Sequence, residues 1–135
     1  MLKTALIHPQ IMKQLSLLGH GDKILIADGN YPLDSRSGSS EKVYLGLTGG
    51  VPTVTQVLET LSQVINIEKA EVMVPEDGNT PQIFEIFTKI LKGMKLDGLG
   101  RYEFYDASCR PEVRLAISTG ELRTYANILI TVGVA

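Results

Sequence analysis

Gly19-His20-Gly21-Asp22 is the first segment whose side chains could carry out chemistry. Glycine on both sides of His20 lets the backbone present the imidazole ring at an unusual angle. An unperturbed imidazole titrates at about pH 6.5, so it can donate or accept a proton near neutrality. A second interpretation is that His20 covers the end of a preceding helix, where a cation is favourable.

Asp28 is the second candidate, because it follows the apolar run Ile24–Ala27 and precedes the turn Gly29-Asn30-Tyr31-Pro32. Ligands of open α/β sheets bind outside the carboxyl ends of strands, which places Asp28 well for contact with one. The alternative is a turn-forming aspartate that binds its own backbone.

Arg101 opens the third segment, Arg101–Tyr105, whose alternating pattern predicts a strand. In that strand, Arg101, Glu103 and Tyr105 would share one face, and Tyr102 and Phe104 the other.

Tyr125-Ala126-Asn127 is the fourth segment and directly precedes the apolar run Ile128-Leu129-Ile130. Tyrosine and asparagine side chains both donate and accept hydrogen bonds, as sugar hydroxyls require. The edge of a hairpin would also account for these residues.

The common phosphate and nucleophile motifs are absent from the sequence. Thr48-Gly49-Gly50 has the composition of a phosphate-binding loop, but Pro52 follows it and no lysine does. We therefore give this loop little weight as a ligand site.

Composition excludes several classes of protein. A net charge of −2 with no basic cluster argues against a nucleic-acid partner. The single cysteine, Cys109, excludes an intrachain disulfide. One cysteine and two histidines are also too few and too scattered along the chain to suggest a structural zinc site. The N-terminus has no secretory signal pattern and no apolar run is long enough to span a bilayer, so we expect a cytoplasmic protein with no membrane partner.

Strands and helices alternate along the 135 residues, which predicts a single α/β domain over residues 1–135 with three α/β/α layers and a mixed β-sheet. Gly19 is expected to end the first helix in the left-handed conformation, and the apolar C-terminal strand is expected inside the sheet or under another subunit. The predicted helices are Pro9–Leu18 and two that begin near Pro52 and Thr80-Pro81; the predicted strands are Lys23–Asp28, Lys42–Leu47, Glu71–Val74, Arg101–Tyr105, Val113–Ser118 and Asn127–Val132.

These segments, in this order and spacing, resemble the D-ribose pyranase and L-fucose mutarotase family, whose members act on free monosaccharides. The resemblance spans nearly the whole chain and rests on a few stretches: Leu18–Asp22, Ile26–Asp28, Val72–Thr80, Ser118–Glu121, Tyr125–Leu129 and Gly133-Val134. Arg101 with Phe104-Tyr105 is similar to the mutarotase branch, whereas the alanine at position 126 is similar to the pyranase branch. The resemblance therefore leaves open an L-fucose-like or a D-ribose-like substrate.

The resemblance implies a role for each candidate residue. His20 corresponds to the proton donor, and Asp28, Tyr125, Ala126 and Asn127 correspond to sugar-contacting positions. Arg101 would bind hydroxyls or favour a developing oxyanion. Interconversion of anomers, or of pyranose and furanose rings, opens a hemiacetal by general acid–base catalysis and needs no redox cofactor and no metal.

The family also forms homo-oligomeric rings, often decamers of two pentamers, with sites completed by a neighbouring subunit. A non-catalytic sugar-binding or transport-accessory protein is the main alternative, since the same cavity could bind without turnover. A structural ring component with a vestigial pocket is a third interpretation.

Overall fold

Six strands form one mixed sheet, described here from a computed structural model that covers residues 1–135. The strand order is β2-β5-β1-β6-β3-β4. The strands are β1 (Lys23–Ala27), β2 (Glu41–Tyr44), β3 (Ile67–Met73), β4 (Leu96–Leu99), β5 (Val113–Ser118) and β6 (Ile128–Val132). The helices are α1 (Pro9–Leu17), α2 (Val54–Ser62), α3 (Ile83–Ile90) and α4 (Arg101–Ser108).

Helices cover both faces of the sheet. Along β1, Ile24 and Ile26 pack into a large cluster that includes residues of α1, α2 and α3. Leu25 and Ala27 point the other way, into a smaller cluster that contains Phe104 of α4. Successive side chains of a strand point to opposite faces of the sheet. A strand that is apolar on both faces must therefore be covered by other elements on both faces. The predicted single α/β domain with three layers and a mixed sheet is confirmed.

Strand β6 is the antiparallel member that joins the two halves of the sheet. It pairs with β1 on one side and β3 on the other, and all five of its residues are buried. The prediction that the C-terminal strand lies inside the sheet is confirmed. Because β6 runs against β1 and β3, its first residue lies beside the last residues of those two strands.

The prediction of a strand over Arg101–Tyr105 is wrong, since these residues form the start of α4. The two fully buried side chains of α4, Phe104 and Ser108, are four residues apart, which is a helical spacing. Tyr102, expected on the same face as Phe104, is 66% exposed. The short aromatic run carries strand propensity, but the packing against the sheet decided for a helix.

The strand missing from the prediction is β4, at Leu96–Leu99. Gly98 made this segment resemble a break between elements. A Cβ at Gly98 would lie 2.8 Å from Cγ1 of Val74, so the glycine is there because a neighbouring side chain approaches closely.

Helix ends also differ from the prediction at three places. Leu18, in an extended conformation, is the C-cap of α1, and the left-handed glycine is Gly21 rather than Gly19. Helix α2 begins after Thr53, whose side chain forms a capping box with Gln56. Helix α3 begins at Ile83 without a side-chain cap.

None of the four helices is long and apolar enough to cross a membrane.

Candidate functional site

A cavity of about 180 Å³ lies where the carboxyl ends of β1 and β3 meet the beginning of β6. Four separate segments supply its walls: the turn after β1, the end of β3, the first turns of α4 and the connection before β6. This volume is below the roughly 300–1,000 Å³ of pockets for drug-sized ligands, so it suits a smaller molecule. We call it the Asp28 cavity; it is lined by Asp28, Asn30, Tyr31, Met73, Arg101, Tyr105, Thr124, Tyr125 and Asn127.

Asp28 joins two parts of this cavity, the turn after β1 and the connection before β6, and is only 2% exposed. Its Oδ1 accepts a hydrogen bond from the amide of Asn30 at 2.9 Å, and its Oδ2 accepts one from the amide of Ala126 at 3.2 Å. Burial raises the pKa of Asp28, while these hydrogen bonds to the charged form act in the opposite direction. Asp28 thus lines the cavity and also forms the local turn that the alternative interpretation described.

Asn127 is buried beside Asp28 and joins the end of β1 to the start of β6. Its Oδ1 accepts the backbone N–H of Asp28 at 2.8 Å, which fixes the orientation of the side-chain amide. The Asn127 side chain also lines the Asp28 cavity, and an amide of this kind can donate a hydrogen bond to a ligand.

Tyr125 enters the cavity from a left-handed backbone conformation, with a φ of 56°. Residues other than glycine adopt this region rarely and at an energetic cost. The neighbouring Ala126 is fully buried, and it contributes its amide to Asp28. The alternative interpretation, a hairpin edge at Tyr125–Asn127, does not apply, because β1 lies between β5 and β6.

Arg101 is exposed at the N-terminal end of α4 and forms no salt bridge within the chain. Its guanidinium is therefore available to hydroxyls or to an oxyanion in the cavity. A second cavity of about 420 Å³ adjoins the first, shares Arg101 and Tyr125 with it, and is also lined by Glu76, Asp77 and Tyr102.

Tyr31 and Tyr105 line the cavity, although neither was singled out as a binding residue from the sequence. Their rings meet edge to face at 5.4 Å, and burial raises the pKa of Tyr31, whose hydroxyl donates to the carbonyl of Arg36 at 2.8 Å. Tyr105 lies one helical turn after Arg101, so the two side chains share a face of α4, as they would also have done in the predicted strand.

His20 lies outside this cavity, at the opposite end of the sheet. It precedes β1 whereas Asp28 follows it, and the five residues of β1 span about 15 Å. Its Nε2 is 3.0 Å from each carboxylate oxygen of Glu68, at the start of β3. One copy of the chain therefore brings together Asp28, Arg101, Tyr125, Ala126 and Asn127 but not His20.

The glycine-rich turn Thr48-Gly49-Gly50 packs against the connection that follows β5. The amide of Gly50 donates to the carbonyl of Gly120 at 2.6 Å, and the amide of Val51 donates to Thr48 at 3.0 Å. These N–H groups are engaged within the chain, so the turn does not form a phosphate cradle.

Comparison with known proteins identifies one family over the entire chain, the family that the sequence resembles. The model of the RbsD / FucU transport protein family matches residues 1–135. A protein named D-ribose pyranase from Clostridium botulinum is 31% identical over 136 residues, covering 99% of this chain and 98% of the relative.

Two solved structures share the fold. Bacillus subtilis RbsD complexed with D-ribose has a TM-score of 0.87 and 25% identity, covering 100% of this chain and 99% of that one. The fucose mutarotase from Streptococcus pneumoniae in complex with L-fucose has a TM-score of 0.81 and 26% identity, with 96% and 94% coverage. A match over every residue, with relatives of the same length, leads to one conclusion: the chain belongs to the RbsD / FucU transport protein family.

Proposed function

We propose that this protein is a monosaccharide mutarotase or pyranase, an isomerase that interconverts the anomers or ring forms of a free aldose. The observation that carries the proposal is the lining of the Asp28 cavity, where side chains of Asp28, Arg101, Tyr125 and Asn127 converge from distant parts of the chain. These groups can donate and accept several hydrogen bonds within a small volume, which matches a single sugar ring. The names of the relatives, D-ribose pyranase and fucose mutarotase, agree with this activity.

His20 is the proposed proton donor for opening of the ring. In this step the ring oxygen gains a proton as its bond to the anomeric carbon breaks, and the anomeric hydroxyl loses one. Rotation and reclosure then give the other anomer or the other ring size. Positioned acid–base groups of this kind contribute about 10²–10⁴-fold in rate, which suits a reaction that already proceeds slowly in water.

The placement of His20 requires a second copy of the chain if this histidine is to reach the sugar. Since His20 and Asp28 lie at opposite ends of β1, a head-to-tail arrangement would bring His20 of one copy to the Asp28 cavity of the next. We propose a homo-oligomer of this kind, a decamer of two pentameric rings, located in the cytoplasm, where a single unpaired cysteine is ordinary.

Saturation-transfer NMR on D-ribose and L-fucose tests the proposed function directly. Wild-type protein is expected to accelerate exchange between the forms of at least one of these sugars, and His20→Gln is expected to lose about 10²-fold or more of that acceleration. Calorimetry on the same samples measures sugar binding separately from turnover.

Unchanged exchange in His20→Gln would remove His20 from the mechanism. Binding of sugar by the wild type without any exchange would instead identify the protein as a non-catalytic binding or transport-accessory protein. The sugar whose exchange is accelerated more, D-ribose or L-fucose, decides whether the substrate preference is that of the pyranase or the mutarotase branch.

A further inference from the structure

Two tyrosines, Tyr31 and Tyr105, form what we call the aromatic wall of the Asp28 cavity. Tyr31 follows β1 and Tyr105 lies in α4, so the wall is assembled from two distant segments. The two rings meet edge to face with their centroids 5.4 Å apart. Aromatic rings supply a large, rigid apolar surface, which the C–H groups of a sugar can contact. The placement of the aromatic wall therefore decides how closely the cavity fits one sugar ring.

Arg36 contacts both rings of the aromatic wall from outside the cavity lining. Its guanidinium carbon lies 5.1 Å from the centroid of the Tyr105 ring, within the range of about 6 Å for an attractive cation–π contact. Its carbonyl oxygen accepts the hydrogen of the Tyr31 hydroxyl at 2.8 Å. Arg36 forms no salt bridge within the chain, so no carboxylate draws the guanidinium away from the ring.

Hydrogen bonds within the serine-rich loop of residues 34–40 fix the backbone on both sides of Arg36. The amide of Arg36 donates to the carbonyl of Pro32 at 2.9 Å. The next residue, Ser37, is fully buried, and its hydroxyl donates to the carbonyl of Leu33 at 2.5 Å. The carbonyl of Arg36 lies between these two bonds and thus has a defined position.

The same loop packs on the end of α4, the helix that carries Tyr105. Gly38 has a φ of 56°, and a Cβ at this position would lie 2.5 Å from the carbonyl oxygen of Cys109, the C-cap of α4. Glycine permits both this conformation and so close an approach of two backbones. The loop and the Tyr105 ring are therefore both placed relative to α4, so the guanidinium and the ring keep their relative position.

We propose that Arg36 is a positioning residue for sugar binding, which holds Tyr105 through its guanidinium and Tyr31 through its carbonyl. This inference rests on the proposed function. Arg36 does not line the Asp28 cavity, so it acts through the two tyrosines and not on the sugar. It takes part in no proton transfer, so its loss weakens binding of the sugar and leaves the turnover of bound sugar nearly unchanged.

Exchange kinetics and calorimetry on the assembled full-length protein, with D-ribose and L-fucose as probes, test this role. Arg36→Ala is expected to raise KM and Kd about threefold with little change in kcat, the size of one exposed cation–π contact. Arg36→Lys keeps a cation near the ring and should raise KM less than Arg36→Ala does. Arg114→Ala is the matched control, because Arg114 is also exposed, forms no salt bridge and lies outside the cavity lining.

Two further variants separate positioning of the tyrosines from a general structural role. In a Tyr105→Leu background, Arg36→Ala should cause no further rise in KM, because the ring on which the guanidinium acts is gone. Tyr31→Phe keeps the ring but removes its hydrogen bond to the Arg36 carbonyl, so it should raise KM about threefold by itself.

A KM of Arg36→Ala equal to that of Arg114→Ala, or a KM of Tyr31→Phe equal to that of the wild type, would overturn the inference and leave the proposed function intact. A further rise in KM on adding Arg36→Ala to Tyr105→Leu would also overturn it, because Arg36 would then act independently of the ring. Wild-type protein that fails to accelerate exchange would overturn the proposed function itself.

Discussion

Glu121 is 3% exposed, and its carboxylate accepts more hydrogen bonds than any other near the Asp28 cavity. It accepts the Nε and Nη2 groups of Arg123 at 2.9 Å and 2.8 Å. It also accepts the amide of Val54 at 3.3 Å, at the beginning of α2, where a negative charge is favourable. The carbonyl of Glu121 accepts the amide of Gly29, next to Asp28, at 2.8 Å. A single residue therefore joins α2, the connection before β6 and the turn after β1.

Replacing Glu121 with Gln should lower the free energy of unfolding by about 1–2 kcal/mol at pH 7, because charge-assisted hydrogen bonds are lost. The Arg123 guanidinium lowers the pKa of Glu121 in the folded state. A lowered folded-state pKa means that the stabilisation is complete above the unfolded value of about 4.3 and is lost as the pH falls through the folded value.

Urea unfolding of the wild type and Glu121→Gln between pH 7 and pH 2 measures this effect. The difference in stability should be constant near neutrality and should shrink below about pH 4.3. A difference that stays constant down to pH 2 would show that the charge of Glu121 contributes nothing.

At the scale of elements, the connection between β5 and β6 supplies three of the nine residues that line the Asp28 cavity, namely Thr124, Tyr125 and Asn127. It is held at its start by Thr119, whose hydroxyl donates to the carbonyl of Ala27 at 2.8 Å. Gly120 then passes close to the turn formed by residues 48–52, where its amide donates to the carbonyl of Pro52 at 2.9 Å. Tyr125 and Asn127 follow from this packed segment, so their positions depend on it.

Gly120→Ala is expected to destabilise the protein and to weaken sugar binding together. The new Cβ would lie 2.6 Å from the carbonyl oxygen of Val51 and 2.8 Å from its nitrogen. These are backbone atoms that cannot rotate away, so the connection must shift, at a cost of about 1–3 kcal/mol.

Thermal unfolding and calorimetric titration with the preferred sugar measure both effects. Gly49→Ala is the matched control, because its Cβ would meet the Leu122 side chain at 3.4 Å, an ordinary contact. Equal melting temperatures and affinities for the two variants would contradict the proposed role of the close approach at Gly120.

The elements show where reasoning from sequence succeeded and where it failed. The strand predicted near Val113–Ser118 occurs at those residues, because a short, mainly apolar run bounded by a proline and a glycine leaves little choice. Arg101–Tyr105 failed because five residues are too few to separate a period of two from one of 3.6. Its helix is decided by Phe104 and Ser108 packing on the sheet.

At the scale of the whole molecule, the separation of His20 from the Asp28 cavity predicts a site shared between copies. A pocket-deficient variant, Asn127→Ala, and the His20→Gln variant should each be nearly inactive alone. Mixed oligomers refolded from equal amounts of both should regain about a quarter of the wild-type activity, because some interfaces then join an intact His20 to an intact cavity.

Gel filtration of the wild type at micromolar concentration provides the control for this experiment. An elution volume that corresponds to a monomer would contradict the shared site. So would mixed oligomers that remain as inactive as the two parent variants.

The sequence by itself determined the α/β fold, the buried C-terminal strand and three polar residues of the cavity, Asp28, Tyr125 and Asn127. These follow from the order of apolar runs and from polar residues that stand where strands end. Only the tertiary structure decided that Asp28, Ala126 and Asn127 meet at the beginning of the antiparallel strand β6, and that His20 does not join them. Local pattern specifies on which element a residue lies, whereas the order and direction of strands in the sheet specify which ends of those elements come together.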